Sequence, residues 1–98
     1  MKCRITSEFF RQALAQEKQI RAALRKVIVQ LEQLSFLELT RHKGIHWEKL
    51  SGLDDPETGN PLYFIRITLP ARAIAVVDKD TLVLLTIHSE HDKAYRRN

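Results

Sequence analysis

Two arginines six residues apart, Arg66 and Arg72, and a tail from His88 to Tyr95 are the residues of this chain best suited to chemistry on an anion. A guanidinium is always charged, and its planar fork of donors can hold two oxygens of a phosphate at once. An imidazole exchanges protons near neutral pH. Basic residues recur through the second half of the chain at Arg41, Lys43, Lys49, Arg66, Arg72, Lys93, Arg96 and Arg97. That distribution suits phosphate binding, and equally a solvated basic surface.

These side chains need a surface to stand on. The apolar run Leu62 to Leu69 alternates as a strand does, with Tyr63, Ile65, Ile67 and Leu69 on one face and Leu62, Phe64, Arg66 and Thr68 on the other. The same alternation in Thr81 to His88 puts Val83, Leu85 and Ile87 on one face, and Leu82, Leu84, Thr86 and His88 on the other. Arg66 and His88 then look out from one side of a sheet. Between these runs, Pro70 stops the first strand, Arg72 to Val77 reads as another, and Asp78-Lys79-Asp80 is the tight turn into the last.

Upstream, Lys2 to Thr6 reads as a short strand and Ser7 as the N-cap of a helix, with Glu8 in its first turn. Phe10, Ala13, Leu14, Ile20, Leu24, Val27, Ile28, Leu31 and Leu34 recur at three and four residues, the stripe of a buried helix face. Glu17 falls on that stripe, so a turn near Gln16 to Lys18 divides it into two helices. The pattern weakens from Ser35 to Ile45, Gly44 breaks it, and His46 to Leu50 suits a strand. Ser51 to Pro61 concentrates turn formers and reads as a surface loop. The expected architecture is α+β: two N-terminal helices packed on one face of a small antiparallel sheet of three to four strands, and a short C-terminal helical tail. The other sheet face stays half open, a shallow basic groove.

Composition bounds what such a groove can serve. Ninety-eight residues with 44% hydrophobic and 29% charged side chains, three Gly and three Pro make one domain spanning 1–98, not a disordered or fibrous chain. No stretch approaches the roughly 18 apolar residues of a membrane span, and no signal-peptide core follows the N-terminus, so the expected location is cytoplasmic. The single Cys3 fits a reducing compartment and reads as an inert buried thiol. Sixteen basic residues against 12 acidic ones give a net charge of +4, which tilts the partner towards a polyanion. The pairs His42 with His46 and His88 with His91 have no Cys or carboxylate cluster to complete a tetrahedral set, so no metal and no other cofactor is expected. Nucleotide-hydrolase and serine-hydrolase motifs are missing from the sequence.

In order and spacing, these segments resemble the RelE/ParE superfamily of bacterial toxin-antitoxin toxins. The resemblance lies in a helical pair, then Trp47-Glu-Lys-Leu-Ser-Gly52, then Tyr63-Phe-Ile-Arg-Ile-Thr-Leu-Pro-Ala-Arg72, then Leu82 through Tyr95. The family shows a Lys-Leu-x-Gly-like segment, an Arg-Ile or Arg-Val strand with a second Arg five or six residues on, and a closing His/Arg-x-x-x-Tyr. Lys49, Arg66, Arg72, His91 and Tyr95 stand at those positions. What the resemblance implies is a ribosome-dependent endoribonuclease that cuts messenger RNA without metal and so inhibits translation. Its partners would be the ribosome, the messenger and a cognate antitoxin that masks the groove in a toxin-antitoxin hetero-oligomer.

The implied reaction needs a proton taken from a ribose 2′-hydroxyl, charge neutralised on phosphate oxygens, and a proton given to the leaving oxygen. Arg66 suits the phosphate, with Arg72 beside it. His91 suits proton transfer, with Lys49 as the second candidate, and Tyr95 stacks on a base or assists the proton. Lys93, Arg96 and Arg97 extend the RNA contact. Each has a structural alternative: Arg66 pairing an acidic side chain, His91 and Tyr95 packing the last strand, Trp47 anchoring the core. The alternative function is a RelE/ParE-fold protein without nuclease activity, either a gyrase-inhibiting toxin or an inactive member that binds an antitoxin and operator DNA.

Overall fold

The computed structural model describes residues 1–89. The elements in chain order are β1 (Lys2–Ile5), α1 (Ser7–Leu14), α2 (Lys18–Gln33), α3 (Phe36–Arg41), β2 (Glu48–Asp54), β3 (Pro61–Thr68), β4 (Ala71–Asp78) and β5 (Thr81–Ser89). The expected helical tail lies outside the described residues.

The sheet has five strands, in the order β1-β5-β4-β3-β2, rather than three to four. It is also mixed: β1 runs parallel to β5, while the other neighbours are antiparallel. Hairpins are legible from adjacent turn residues, but a parallel partner nearly 80 positions away has no local signature. β2 continues through Ser51-Gly52-Leu53 to Asp54, so the predicted loop shrinks to the tight turn before Pro61. Gly52 makes this possible at φ 74, within a stretch where the ladder to β3 shifts register. The β4–β5 hairpin turns on Lys79 at φ 58, which explains how the turn closes without glycine.

One face of the sheet carries the core. Ile65, Ile67, Ala71, Ala73, Ala75, Leu82, Leu84 and Ile87 meet Phe9, Ile20, Leu24, Leu31, Leu39 and Ile45. Three alanines on the central strand leave the volume that the larger side chains fill. The expected division of the helical stripe is found between Leu14 and Lys18, where Arg21 Nη1 donates to the Gln16 carbonyl at 2.6 Å.

Thr6, not Ser7, caps α1. It keeps extended backbone at the end of β1, and its hydroxyl accepts the Phe9 N–H at 3.0 Å. α3 was not expected, although its signal is in the sequence as Ser35-x-x-Glu38. Ser35 Oγ accepts the Glu38 N–H at 3.2 Å, and Glu38 Oε1 accepts the Ser35 N–H at 2.9 Å. Ser35→Ala is expected to cost about 1 kcal/mol in urea unfolding at pH 7. Hydrogen bonds from Ser35, backbone first and then side chain, hold the Glu38 carboxyl below its ordinary value. A lowered folded-state value means that the stabilisation is complete above the ordinary carboxylate range and is lost as pH falls through the lowered value. Glu38→Gln should flatten that acid limb of the unfolding curve.

Cys3 is half-buried and packs against the core. Burial, with Glu32 nearby, pushes its thiol above the usual range, away from the reactive thiolate.

Candidate functional site

β5 does not keep its alternation. Ala75 pairs with Leu84 and Ile74 with Thr86, so Leu85 is an extra residue, a bulge. Before it, Leu82 and Leu84 point into the core; after it, Ile87 and Ser89 are the buried ones. The expected grouping of Leu82 and Leu84 with Thr86 and His88 is therefore corrected: the bulge turns the two polar residues to the open face while both leucines stay buried.

Helix α1 sustains this geometry. β1 ends beside Leu84, which leaves the edge of β5 beyond it without a neighbouring strand. The Thr6 hydroxyl donates to the Leu85 carbonyl at 2.8 Å, and Gln12 Oε1 accepts the Ile87 N–H at 2.7 Å. Two side chains stand in for the missing strand.

The result is a row across three strands. Arg66 on β3 is the direct cross-strand partner of Arg72 on β4, and Arg72 is that of His88 on β5. Directly opposed like charges destabilise a sheet, so two adjacent guanidiniums favour an anion between or above them. The Arg72 guanidinium carbon lies 5.6 Å from the centre of the Phe64 ring, a cation–π contact that fixes its height over the sheet. The Thr86 hydroxyl and His88 Nε2 are 3.0 Å apart. Arg66 Nη1 is 3.2 Å from His46 Nε2. Arg66 Nε is buried and without a hydrogen-bond partner among the described residues.

His46, Glu48, Phe64, Arg66 and Arg72 line one cleft. Of the residues named from sequence, Arg66 and Arg72 meet there. Lys49 does not: it pairs with Tyr63, on the core face, whereas Glu48 pairs with Phe64 and faces the arginines. His91, Tyr95, Lys93, Arg96 and Arg97 lie outside the described residues. His46, Glu48 and His88 are the cleft and row residues that sequence reasoning left without a role. Alternation within the expected strand already puts Glu48 on the face opposite Lys49, although β2 begins two residues later than expected, at Glu48; the placement of His46 depends on a loop.

The remaining groups are structural. Trp47 stacks on Tyr63, with ring centres 4.1 Å apart, and meets Phe36 edge-on. His42 is held by Gln30 at 2.9 Å and by the Ile45 N–H at 3.3 Å. Among the described residues no group of three or more His, Cys, Asp or Glu side chains could hold a metal.

The far half of this face is closed over. Val76 and Val83, cross-strand partners, are buried beside Asp55, Glu57 and Thr58 of the β2–β3 turn. Asp55 Oδ2 accepts from the Thr58 N–H and hydroxyl, and Asn60 Nδ2 donates to the Val77 carbonyl at 3.0 Å. The open part of the face is thus confined to the cationic end.

Arg72→Met removes the charge that opposes Arg66, and with it the cation–π contact to Phe64, but leaves a long apolar side chain at that position. Its expected effect on unfolding is neutral to stabilising by up to about 1 kcal/mol, because the opposed cations are relieved. Under the RNA contact that the family resemblance implies for Arg72, the same variant should flatten the salt dependence of single-stranded RNA binding by roughly 0.7 in the log–log slope, one phosphate contact.

Neither a protein-family model nor a curated protein matches the sequence. Solved structures do match in fold. A RelB-RelE antitoxin-toxin complex from Methanococcus jannaschii aligns with a TM-score of 0.70 at 14% identity, over 96% of both chains. An archaeal RelE-RelB complex from Pyrococcus horikoshii aligns at 0.66 and 18% identity, over 92% of this chain and 94% of that one. A toxin from Helicobacter pylori aligns at 0.59 and 17% identity, over 92% and 94%. The fold is RelE-like, with helices packed on a five-stranded sheet.

Proposed function

We propose that this RelE-like chain is the toxin of a toxin-antitoxin pair and acts as a ribosome-dependent, metal-independent endoribonuclease on messenger RNA. The observation that carries the reading is the row Arg66, Arg72 and His88, two guanidiniums and an imidazole side by side on the open end of the sheet. The structural neighbours in complex with RelB support an antitoxin as partner.

In the proposed reaction the 2′-hydroxyl oxygen attacks the adjacent phosphorus. The bond from phosphorus to the 5′-oxygen of the next nucleotide breaks, leaving a 2′,3′-cyclic phosphate and a 5′-hydroxyl. Arg66 neutralises the charge that grows on the phosphate oxygens, with Arg72 beside it. Glu48, in the same cleft, is a carboxylate able to take the 2′-hydroxyl proton. His91 protonates the leaving oxygen and Tyr95 stacks on a base, with Lys93, Arg96 and Arg97 along the RNA backbone. Lys49, on the other sheet face, has no part in the row. No helix among the described residues is long and apolar enough to cross a membrane, and the proposed site of action is the cytoplasm.

The test is induced expression in a bacterial host of the wild type, Arg66→Ala and His91→Ala, with messenger 5′ ends mapped on translated transcripts. Growth arrest with new in-frame cleavage sites, lost in both variants, is the expected result. Arrest with intact messenger and induced DNA damage would replace this reading with a gyrase-directed toxin. No arrest at all would leave a binding protein.

A further inference from the structure

His46 stands out among the cleft residues because the chain goes out of its way to place it. Its backbone adopts φ 52, a left-handed conformation uncommon outside glycine. The loop around it is tied to the sheet on both sides: Ile45 is buried in the core, and its carbonyl accepts the Arg66 N–H at 2.8 Å. The imidazole is thereby delivered to Arg66, with Nε2 at 3.2 Å from Nη1. A guanidinium has donors and no acceptor, so the imidazole nitrogen in this bond must be the acceptor. The bond requires the imidazole tautomer with its proton on Nδ1.

We infer that His46 is a positioning residue for an oxyanion-binding Arg66: it accepts from Nη1 and holds the guanidinium plane, leaving the Nε–Nη2 edge for the ligand. This inference rests on the proposed RNA-cleaving reading for the identity of the oxyanion, a backbone phosphate. Two features of the cleft support it. Arg66 Nε is enclosed and has no hydrogen-bond partner among the described residues, an unsatisfied donor that gains a bond once the cleft opens enough to admit an acceptor to the Nε–Nη2 edge. The edge made by Nε and Nη2 is the side-on fork through which arginine grips two oxygens at once. With Nη1 engaged by His46, that fork is pre-oriented, and binding does not have to order a long flexible side chain. Such ordering is worth about fivefold in affinity for one immobilised side chain.

The experiment uses the full chain and compares His46→Gly with His46→Gln. Glycine removes the imidazole and accepts the left-handed backbone, so loss of fold is not the trivial outcome. Glutamine restores a neutral acceptor. Nitrogen-15 NMR of the wild type should report the Nδ1–H tautomer of His46, and slow rotation about the Arg66 Nε–Cζ bond. Rotation should become fast in His46→Gly and slow again in His46→Gln. Binding of inorganic phosphate, and of an oligoribonucleotide with a 2′-deoxy group at the cleavage position, should weaken about fivefold in His46→Gly and return to within about twofold in His46→Gln. The inference is overturned by an Nε2–H tautomer, by Arg66 rotation that ignores His46, or by a glycine variant that binds phosphate as the wild type does. If the variants change Arg66 rotation and phosphate binding as stated while the oligoribonucleotide does not bind at all, the positioning role stands and the RNA reading falls.

Discussion

In the proposed reaction, Arg66→Ala is expected to lower messenger cleavage by about a hundred- to a thousandfold, the range seen when one preorganised oxyanion donor is removed. The size follows from where the charge sits. Arg66 stands mid-strand in a five-stranded sheet, its N–H bonded to Ile45 and its guanidinium to His46, so it does not have to reorganise as negative charge develops on the phosphate. Arg66→Lys should recover only a small part of the loss, because an ammonium supplies charge without the planar fork. Single-turnover cleavage on programmed ribosomes, with circular dichroism to confirm folding, checks both variants. Cleavage within threefold of wild type in Arg66→Ala would remove the arginine from the reaction and leave Arg72 and His88 to account for the strip.

The second large effect lies directly beneath that arginine. Ile65 is fully buried at the centre of β3, in the cluster with Phe9, Leu31 and Leu84. Ile65→Ala is expected to cost about 2–5 kcal/mol, since the transfer energy of the removed groups adds to the cavity they leave. In a domain of this size, whose stability is on the order of 5–15 kcal/mol, that is a large share of the total. Ile65→Val should cost about 0.5–1.5 kcal/mol. Urea unfolding followed by Trp47 fluorescence measures both, since Trp47 packs against the same core. A loss under 1 kcal/mol in the alanine variant would mean that the helices close down on the gap.

Binding and stability pull in different directions along the row. Arg66 and Arg72 face each other across the ladder at some cost to the free sheet, whereas Ile65, Ala71 and Ala73 on the reverse of the same strands hold it in place. Weakening the cationic side should therefore leave the fold intact, and weakening the apolar side should damage both fold and function.

The sequence by itself determined the strand faces of Leu62 to Leu69, because alternation is a local property: Arg66 had to stand opposite Ile65 and Ile67 whatever the sheet became. It determined the break between α1 and α2, since a charged residue cannot continue an apolar stripe. Arg66 and His88 do share a side as expected, but His88 reaches it through the Leu85 bulge and not by the unbroken alternation. Tertiary structure decided the rest. The Leu85 bulge depends on Thr6, the cap of α1, donating and Gln12 of α1 accepting at a strand edge that β1 is too short to cover. β1 itself joins the sheet only through a parallel pairing with a segment at the other end of the chain. The register of β2 against β3 chose Glu48 over Lys49 for the cleft, a one-residue difference that sends a side chain to the opposite face. His46 reached Arg66 through a left-handed loop residue whose position is set by the burial of Ile45. Periodicity writes which way a side chain points along its own element; only long-range pairing decides what it then meets.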